Sequence, residues 1–308
     1  MEIYAKASLK PAEIQEKINC GCDGIEYNLE KDFLIKGSSF ETCYPKEIFQ
    51  MHNAGAVHFP FGADRQMLNM EHVFQKEDLS VVRSVFRLAQ HCAEIWGHKV
   101  LVIMHSSLSY FDFMEYELYR DRLEWELGRL FMDFPMTELG IENVVPMEYQ
   151  ETGTESPRLC NGIFTDTAKI VRYLRERFGD RAGSVLDTCH AAMTEKYMKL
   201  LLAAADFLPE GKLPEKIDYS IGHYFKENQG ICKLIHFNDF TGNGYQKNHG
   251  AGFQSQEKVD TLLNLYRDYG YDCPLTLEVR EKDYLDCVNY RRTKFMAEQW
   301  MKKAGETA

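Results

Sequence analysis

Six of eight short apolar runs in this chain end on or just beyond a side chain that can bind a metal ion or carry a proton. AVHFP ends at His58, VLVIMHSS at His105, LGIENVV at Glu142, SVLDTCH at Asp187 and His190, KLIHFNDF at His236 and Asp239, and LTLEVRE at Glu278. Each has an ordinary reading when taken alone. A histidine at a strand end is often a hydrogen-bonded core residue, Asp187 is a good helix N-cap, and Glu278 with Arg280 would make a rim ion pair. Taken together, the ordinary reading is poor. Buried carboxylates repel one another unless protons or a cation compensate them, and a divalent cation does so directly. Carboxylate and imidazole donors do not select sharply among Mn²⁺, Zn²⁺, Co²⁺, Fe²⁺ and Mg²⁺. The absence of CxxC and HExxH spacings argues against a zinc finger or a zincin.

These residues need elements that bring them to one face. The eight runs are Ile3–Ser8, Gly24–Tyr27, Ala56–Phe59, Val100–Met104, Leu139–Val145, Ser184–Leu186, Cys232–Phe237 and Leu275–Val279. Between them lie stretches of helical period: Val82, Val85, Phe86, Ala89, Cys92 and Trp96, then Ile170, Val171, Leu174 and Phe178, then Val259, Leu262, Leu263 and Tyr266. Pro11 suits the first turn of a helix, and Gly270 the end of one. Eight strands alternating with helices predict an α/β fold, a closed (β/α)8 TIM barrel, with an open doubly wound sheet as the alternative. Residues 1–308 are expected to form one domain. Residues 191–230 are too long for a plain crossover, and their composition predicts a helical insertion of two helices between strands 6 and 7. In such a barrel the C-terminal strand ends carry the chemistry.

The chain has 308 residues with 36 Lys+Arg against 47 Asp+Glu, a formal net charge of -11. That balance does not suit a nucleic-acid coat, which needs a basic surface to displace counterions. No apolar run is long enough to span a membrane, and the opening MEIYAKASLKPAEIQEK lacks the apolar stretch of a signal peptide. The nine cysteines are scattered without metal-site spacing, so reduced thiols and a cytoplasmic location are expected. His52, His72, His91 and His98 are read as surface or packing residues, and the aromatic run Tyr110–Phe113 as packing. The glycines at 242–244 and 250–252 do not follow a strand as a dinucleotide fingerprint does.

VLDTCHA is very similar to the sixth-strand motif of the xylose isomerase-like TIM-barrel superfamily, which includes sugar isomerases, ketose 3-epimerases, endonuclease IV and related lyases. HFND resembles its seventh-strand motif, GIEN its fifth and LTLEV its last. VHFP and VIMHSS look like the two histidine strands. The resemblance runs in order over roughly residues 3–280. It implies a divalent metal held by Glu142, Asp187, His236 and Glu278. Glu142, Glu278 and His190 would be catalytic, and His58 and His105 would serve a second metal or the substrate. In the endonuclease IV branch a third metal would use His190 with an Asp-x-His. The loop TGNGYQKNHGAGF has none and offers only His249. In the ketose epimerase branch an arginine after the seventh strand would help, and here the nearest cation is Lys247. Both are kept as candidate substrate contacts. Asp239, three residues past His236, is expected to support a ligand and not to bind the metal itself.

The function expected from this is a metal-dependent isomerase or epimerase of a sugar or sugar phosphate, with carboxylates moving the proton. The alternatives are an endonuclease IV-like zinc phosphodiesterase acting on abasic DNA, a sugar-acid dehydratase or lyase, and a non-enzymatic binding barrel. The expected partner is a small molecule, with no membrane, nucleic acid disfavoured, and a homo-oligomer left open.

Overall fold

The computed structural model describes residues 1–30, 33, 40–60, 70–76, 79–106, 108–144, 147–148, 158–159, 164–203, 218–240 and 249–306. Eight parallel strands close into a barrel: β1 Ile3–Ala7, β2 Gly24–Asn28, β3 Ala54–His58, β4 Val100–His105, β5 Thr137–Glu142, β6 Ala182–Asp187, β7 Cys232–His236 and β8 Leu275–Leu277. Each strand pairs with the next in sequence, and β1 pairs with β8. All eight expected runs are strands of this barrel. They read as nearly continuous apolar stretches because a parallel barrel strand is covered on both faces.

The main helices are α1 Pro11–Asn19, α2 Ser80–Trp96, α3 Tyr110–Glu115, α4 Glu117–Asp133, α5 Phe164–Phe178, α6 Thr188–Ala203, α7 Ile221–Asn228, α8 Gln256–Asp268 and α9 Val288–Glu306. Pro11 opens α1. In α2 the residues Val82, Val85, Phe86, Ala89 and Cys92 form the buried stripe, and Gly97 ends the helix at φ 73. A positive φ there carries a steric penalty for any residue with a Cβ. Within the aromatic run, Phe113 is buried against Tyr119 and Tyr173, while Phe111 is exposed.

The two helices expected within 191–230 are α6 and α7. α6 begins earlier than expected, at Thr188, directly on the end of β6. α7 is capped by the Ser220 hydroxyl and packs against α5 and α8, the ring position of an ordinary barrel helix. The added element is therefore α6, which packs against a short ladder of Asp239–Phe240 with His249–Ala251.

The barrel interior is filled below the strand ends. Tyr4, Ala56, Leu101, Ile103, Val185 and Leu234 form an inner apolar cluster, separate from the larger core between strands and helices. Gly24 and Gly55 leave room for the Tyr4 ring, since a Cβ would lie 2.7 Å from it at Gly24 and 2.1 Å at Gly55. Gly140 likewise makes way for Val185 and Leu101.

Candidate active site

Side chains on a strand alternate between faces, so the inward residue two positions beyond each plug residue forms the next layer up. Lys6 follows Tyr4, His58 follows Ala56, His105 follows Ile103, Asp187 follows Val185 and His236 follows Leu234. Register completes the layer. Lys6 pairs with Glu26, His105 with Glu142, and Asp187 with His236. Glu278 lies just past β8. The apolar layer changes to a charged one within a single step of the strand.

Glu142 is the centre of this layer. Its Oε2 lies 3.1 Å from His58 Nε2 and 3.1 Å from His105 Nε2. Its Oε1 lies 3.3 Å from His236 Nδ1 and 3.4 Å from His190 Nδ1. His236 Nδ1 is also 2.8 Å from Glu278 Oε2 and 3.8 Å from Asp187 Oδ2. Two groups of donor atoms result, each within 4.8 Å: His58, His105 and Glu142, and Glu142, Asp187, His236 and Glu278. Glu142 belongs to both.

Asp187 is braced on every side. Its Oδ1 accepts from the His190 backbone N–H at 2.7 Å, which caps α6. Its Oδ2 accepts from Asn238 Nδ2 at 3.1 Å. Asn143 holds its backbone, accepting from the Asp187 N–H at 2.7 Å. His190 stands at the edge, its Nδ1 donating to the Asn143 carbonyl at 2.7 Å.

The charges follow from burial and neighbours. Burial opposes ionisation of Glu142, but His236 and His105 outweigh it and hold the carboxyl well below the usual range. Burial likewise opposes Glu278, and Lys6 and His236 outweigh it. Asp187 is pushed up by burial and by the like charges of Glu142 and Glu278, against the pull of His190. Burial disfavours the charged form of His190, yet Asp187 and Glu142 raise it to about 9. His58 is lowered by burial and by Lys6.

A divalent cation suits these donors. His236 Nδ1 and Glu278 Oε2 are buried and have no hydrogen-bond partner among the described residues, though they stand 2.8 Å apart. They meet as a close pair with Glu142 Oε1 and Asp187 Oδ2 beside them, a convergence of donor atoms that a shared ion would satisfy. A third group, Glu16, Cys20 and Cys287, differs. There the Arg291 guanidinium lies 3.2 Å from Cys20 Sγ, a fixed positive charge against the donors.

The structure thus brings together Glu142, Asp187, His236, Glu278, His58, His105 and His190. Asp239 lies elsewhere: it pairs with Lys258 on α8 and accepts from the Phe240 N–H, so the residue supporting Asp187 is its neighbour Asn238. His249 is on the short ladder after β7, and Lys247 lies outside the described residues. His91 packs between Phe40 and Phe49. The sequence reading missed Lys6 and Glu26. Lys6 Nζ lies 2.8 Å from Glu278 Oε1 and 3.3 Å from Glu26 Oε1, and Glu26 Oε2 lies 2.9 Å from His236 Nε2. Their signal was a charged residue inside an apolar strand, in IYAKA and GIEYN.

Comparison with solved structures finds full-length matches at low identity. An L-ribulose 3-epimerase is 14% identical, with 100% of this chain and 98% of that chain covered and a TM-score of 0.55. An IolI protein with a bound zinc atom is 14% identical, covering 98% and 96%, at 0.56. The endonuclease IV of Thermus thermophilus is 13% identical, covering 97% and 100%, at 0.52. The fold shared with these structures is the closed (β/α)8 TIM barrel. No protein-family profile matches the chain, and no curated protein does. A TIM barrel hosts many chemistries, so the reaction has to be argued from the site.

Proposed function

We propose that the protein is a divalent-metal-dependent isomerase or epimerase of a small sugar or sugar phosphate. The observation that carries this reading is that Glu142 and Glu278 approach His236 Nδ1 at 3.3 and 2.8 Å, two carboxylates flanking one cation position. A bound divalent ion would hold a carbonyl and the neighbouring hydroxyl of the sugar and polarise the carbonyl. One of the two carboxylates takes the proton from the adjacent carbon, and it or its counterpart returns a proton to the sugar. His190, whose Nδ1 is held on the Asn143 carbonyl at the edge of the group, is assigned to a substrate oxygen. The net charge of -11 supports a small substrate over a phosphate backbone. The free thiols among the described residues fit a cytoplasmic setting.

A second reading has one specific observation behind it. His58, His105 and Glu142 form a donor group of their own, and a bridging Glu142 suits a two-metal phosphodiesterase.

The test is a panel of ketoses, aldoses and their phosphates in D2O followed by NMR, beside cleavage of a duplex containing an abasic site, with one metal-loaded preparation. Deuterium on a sugar carbon, or conversion of a sugar, is expected, and loss of both in Glu142→Gln. Abasic-site cleavage that disappears in Glu142→Gln, with no sugar turned over, overturns the choice.

A further inference from the structure

The strands β3 to β7 and the end of β8 supply the donor groups. β1 and β2 supply Lys6 and Glu26, for which the proposed chemistry has no use. Glu26 and the ammonium of Lys6 are buried inside the barrel, on register partners in adjacent strands. Glu26 is 0% exposed, and a buried charge is costly unless it is paired and hydrogen-bonded. Its position shows where that interaction goes. Oε2 faces His236 Nε2 at 2.9 Å from 210 residues away in sequence, and Oε1 faces Lys6.

The two nitrogens of His236 therefore face different groups. Nε2 meets a carboxylate, which accepts and cannot donate when ionised, so Nε2 carries the hydrogen. Nδ1 points the other way, into the group of Glu142, Asp187 and Glu278 that would hold the ion. Lys6 touches Glu26 on one side and Glu278 on the other, so one ammonium links the partner of the histidine to a second donor. As a purely stabilising ion pair the arrangement makes little sense, because desolvating two charges offsets most of their attraction.

We propose that Lys6 and Glu26 form a positioning pair for the metal centre: Glu26 fixes the ring of His236 so that Nδ1 is the ligand atom, and Lys6 locks Glu26 and Glu278 into one frame. This extends the metal site argued above and depends on it, but not on which substrate is turned over. A carboxylate behind a metal-binding histidine sets its ring orientation and raises its basicity, and losing such a partner weakens metal binding by about 10–100-fold.

The test is zinc binding to the full chain by calorimetry, with ¹⁵N NMR of the histidine rings in the zinc-loaded protein. In the wild type, His236 should show zinc on Nδ1 and a slowly exchanging, downfield Nε2–H. Glu26→Gln should bind zinc about 10–100-fold more weakly and shift that proton upfield. Zinc on Nε2 of His236 in the wild type overturns the proposal even where the variant fails to fold. Unchanged affinity in a folded Glu26→Gln also overturns it. A wild type that binds no zinc at all overturns the metal site itself, which separates that failure from this one.

Discussion

Lys6 Nζ lies 2.8 Å from Glu278 Oε1, a buried lysine against a carboxylate that also faces the donor group. Burial opposes its charge, but Glu278 and Glu26 outweigh that and keep it protonated. Lys6→Met removes the ammonium that the described residues place in this layer and leaves its carboxylates to repel one another. Breaking a buried pair from one side costs about 3–5 kcal/mol. The metal-free variant should lose stability of that order in chemical denaturation, and saturating zinc should recover part of it, since the ion supplies positive charge to the same layer. An identical loss with and without zinc would show that Lys6 and the ion do not compensate the same charge.

Asp187→Asn and Glu278→Gln should each lower zinc affinity by more than tenfold, because a carboxylate donor becomes a neutral amide. Folding should survive. Asparagine caps helices about as well as aspartate, so the bond from His190 N–H that starts α6 is retained in Asp187→Asn. Metal analysis after dialysis is the check. Full occupancy in both variants means the donors are wrongly assigned.

Asn238 and Asp239 separate cleanly. Asn238 donates to Asp187 Oδ2 and accepts from the Cys189 N–H, while Asp239 turns to Lys258. Asn238→Ala should weaken zinc binding by roughly tenfold or more through loss of the support behind Asp187. Asp239→Asn should change it far less than Asp187→Asn does. Equal losses at 187 and 239 would place Asp239 among the ligands.

His190 should make the metal-free protein sensitive to alkali. Its folded pKa of about 9 lies above the unfolded value, so the stabilisation is fully present below about 6.5 and is lost as pH rises through about 9. The size is roughly 3 kcal/mol. Melting temperatures between pH 6 and 10 should fall for the wild type and stay flatter for His190→Gln. Parallel curves would exclude His190 as the source.

Gly55→Ala would place a Cβ 2.1 Å from the Tyr4 ring, which has no soft end to move aside. Overpacking of this kind costs about 1–3 kcal/mol. Adding Tyr4→Leu to the same chain should recover much of it. If the double variant is no more stable than Gly55→Ala, the clash lies elsewhere.

The barrel was legible because each strand is buried on both faces, which leaves a compact apolar run closed by a polar residue. His58, His105, Glu142, Asp187 and His236 stand at such closures, and their position alone suggested a common face. Lys6 and Glu26 stand one step inside the run, where a charged residue looks like the outward side of an alternating strand. What makes them part of the site is closure of the barrel, which sets Glu26 against His236 across 210 residues. Asp239 misled because HFND offers two polar residues in succession. Which one turns inward depends on the bend after β7, where Asp239 enters the short ladder with Ala251. The early start of α6 follows from Asp187, which serves as a donor and as the helix cap in one side chain.

The Tyr4 plug beneath the charged layer has a kinetic consequence. Among the described residues, the Tyr4 ring over two glycines and the inner apolar cluster lie beneath the charged layer, so an ion's way out would lead up past the C-terminal strand ends. An ion would have to shed its hydration shell and leave again by that same end. Exchange would then be slow in both directions, and the metal found in purified protein would record which ion was abundant when the chain folded more than which one binds most tightly.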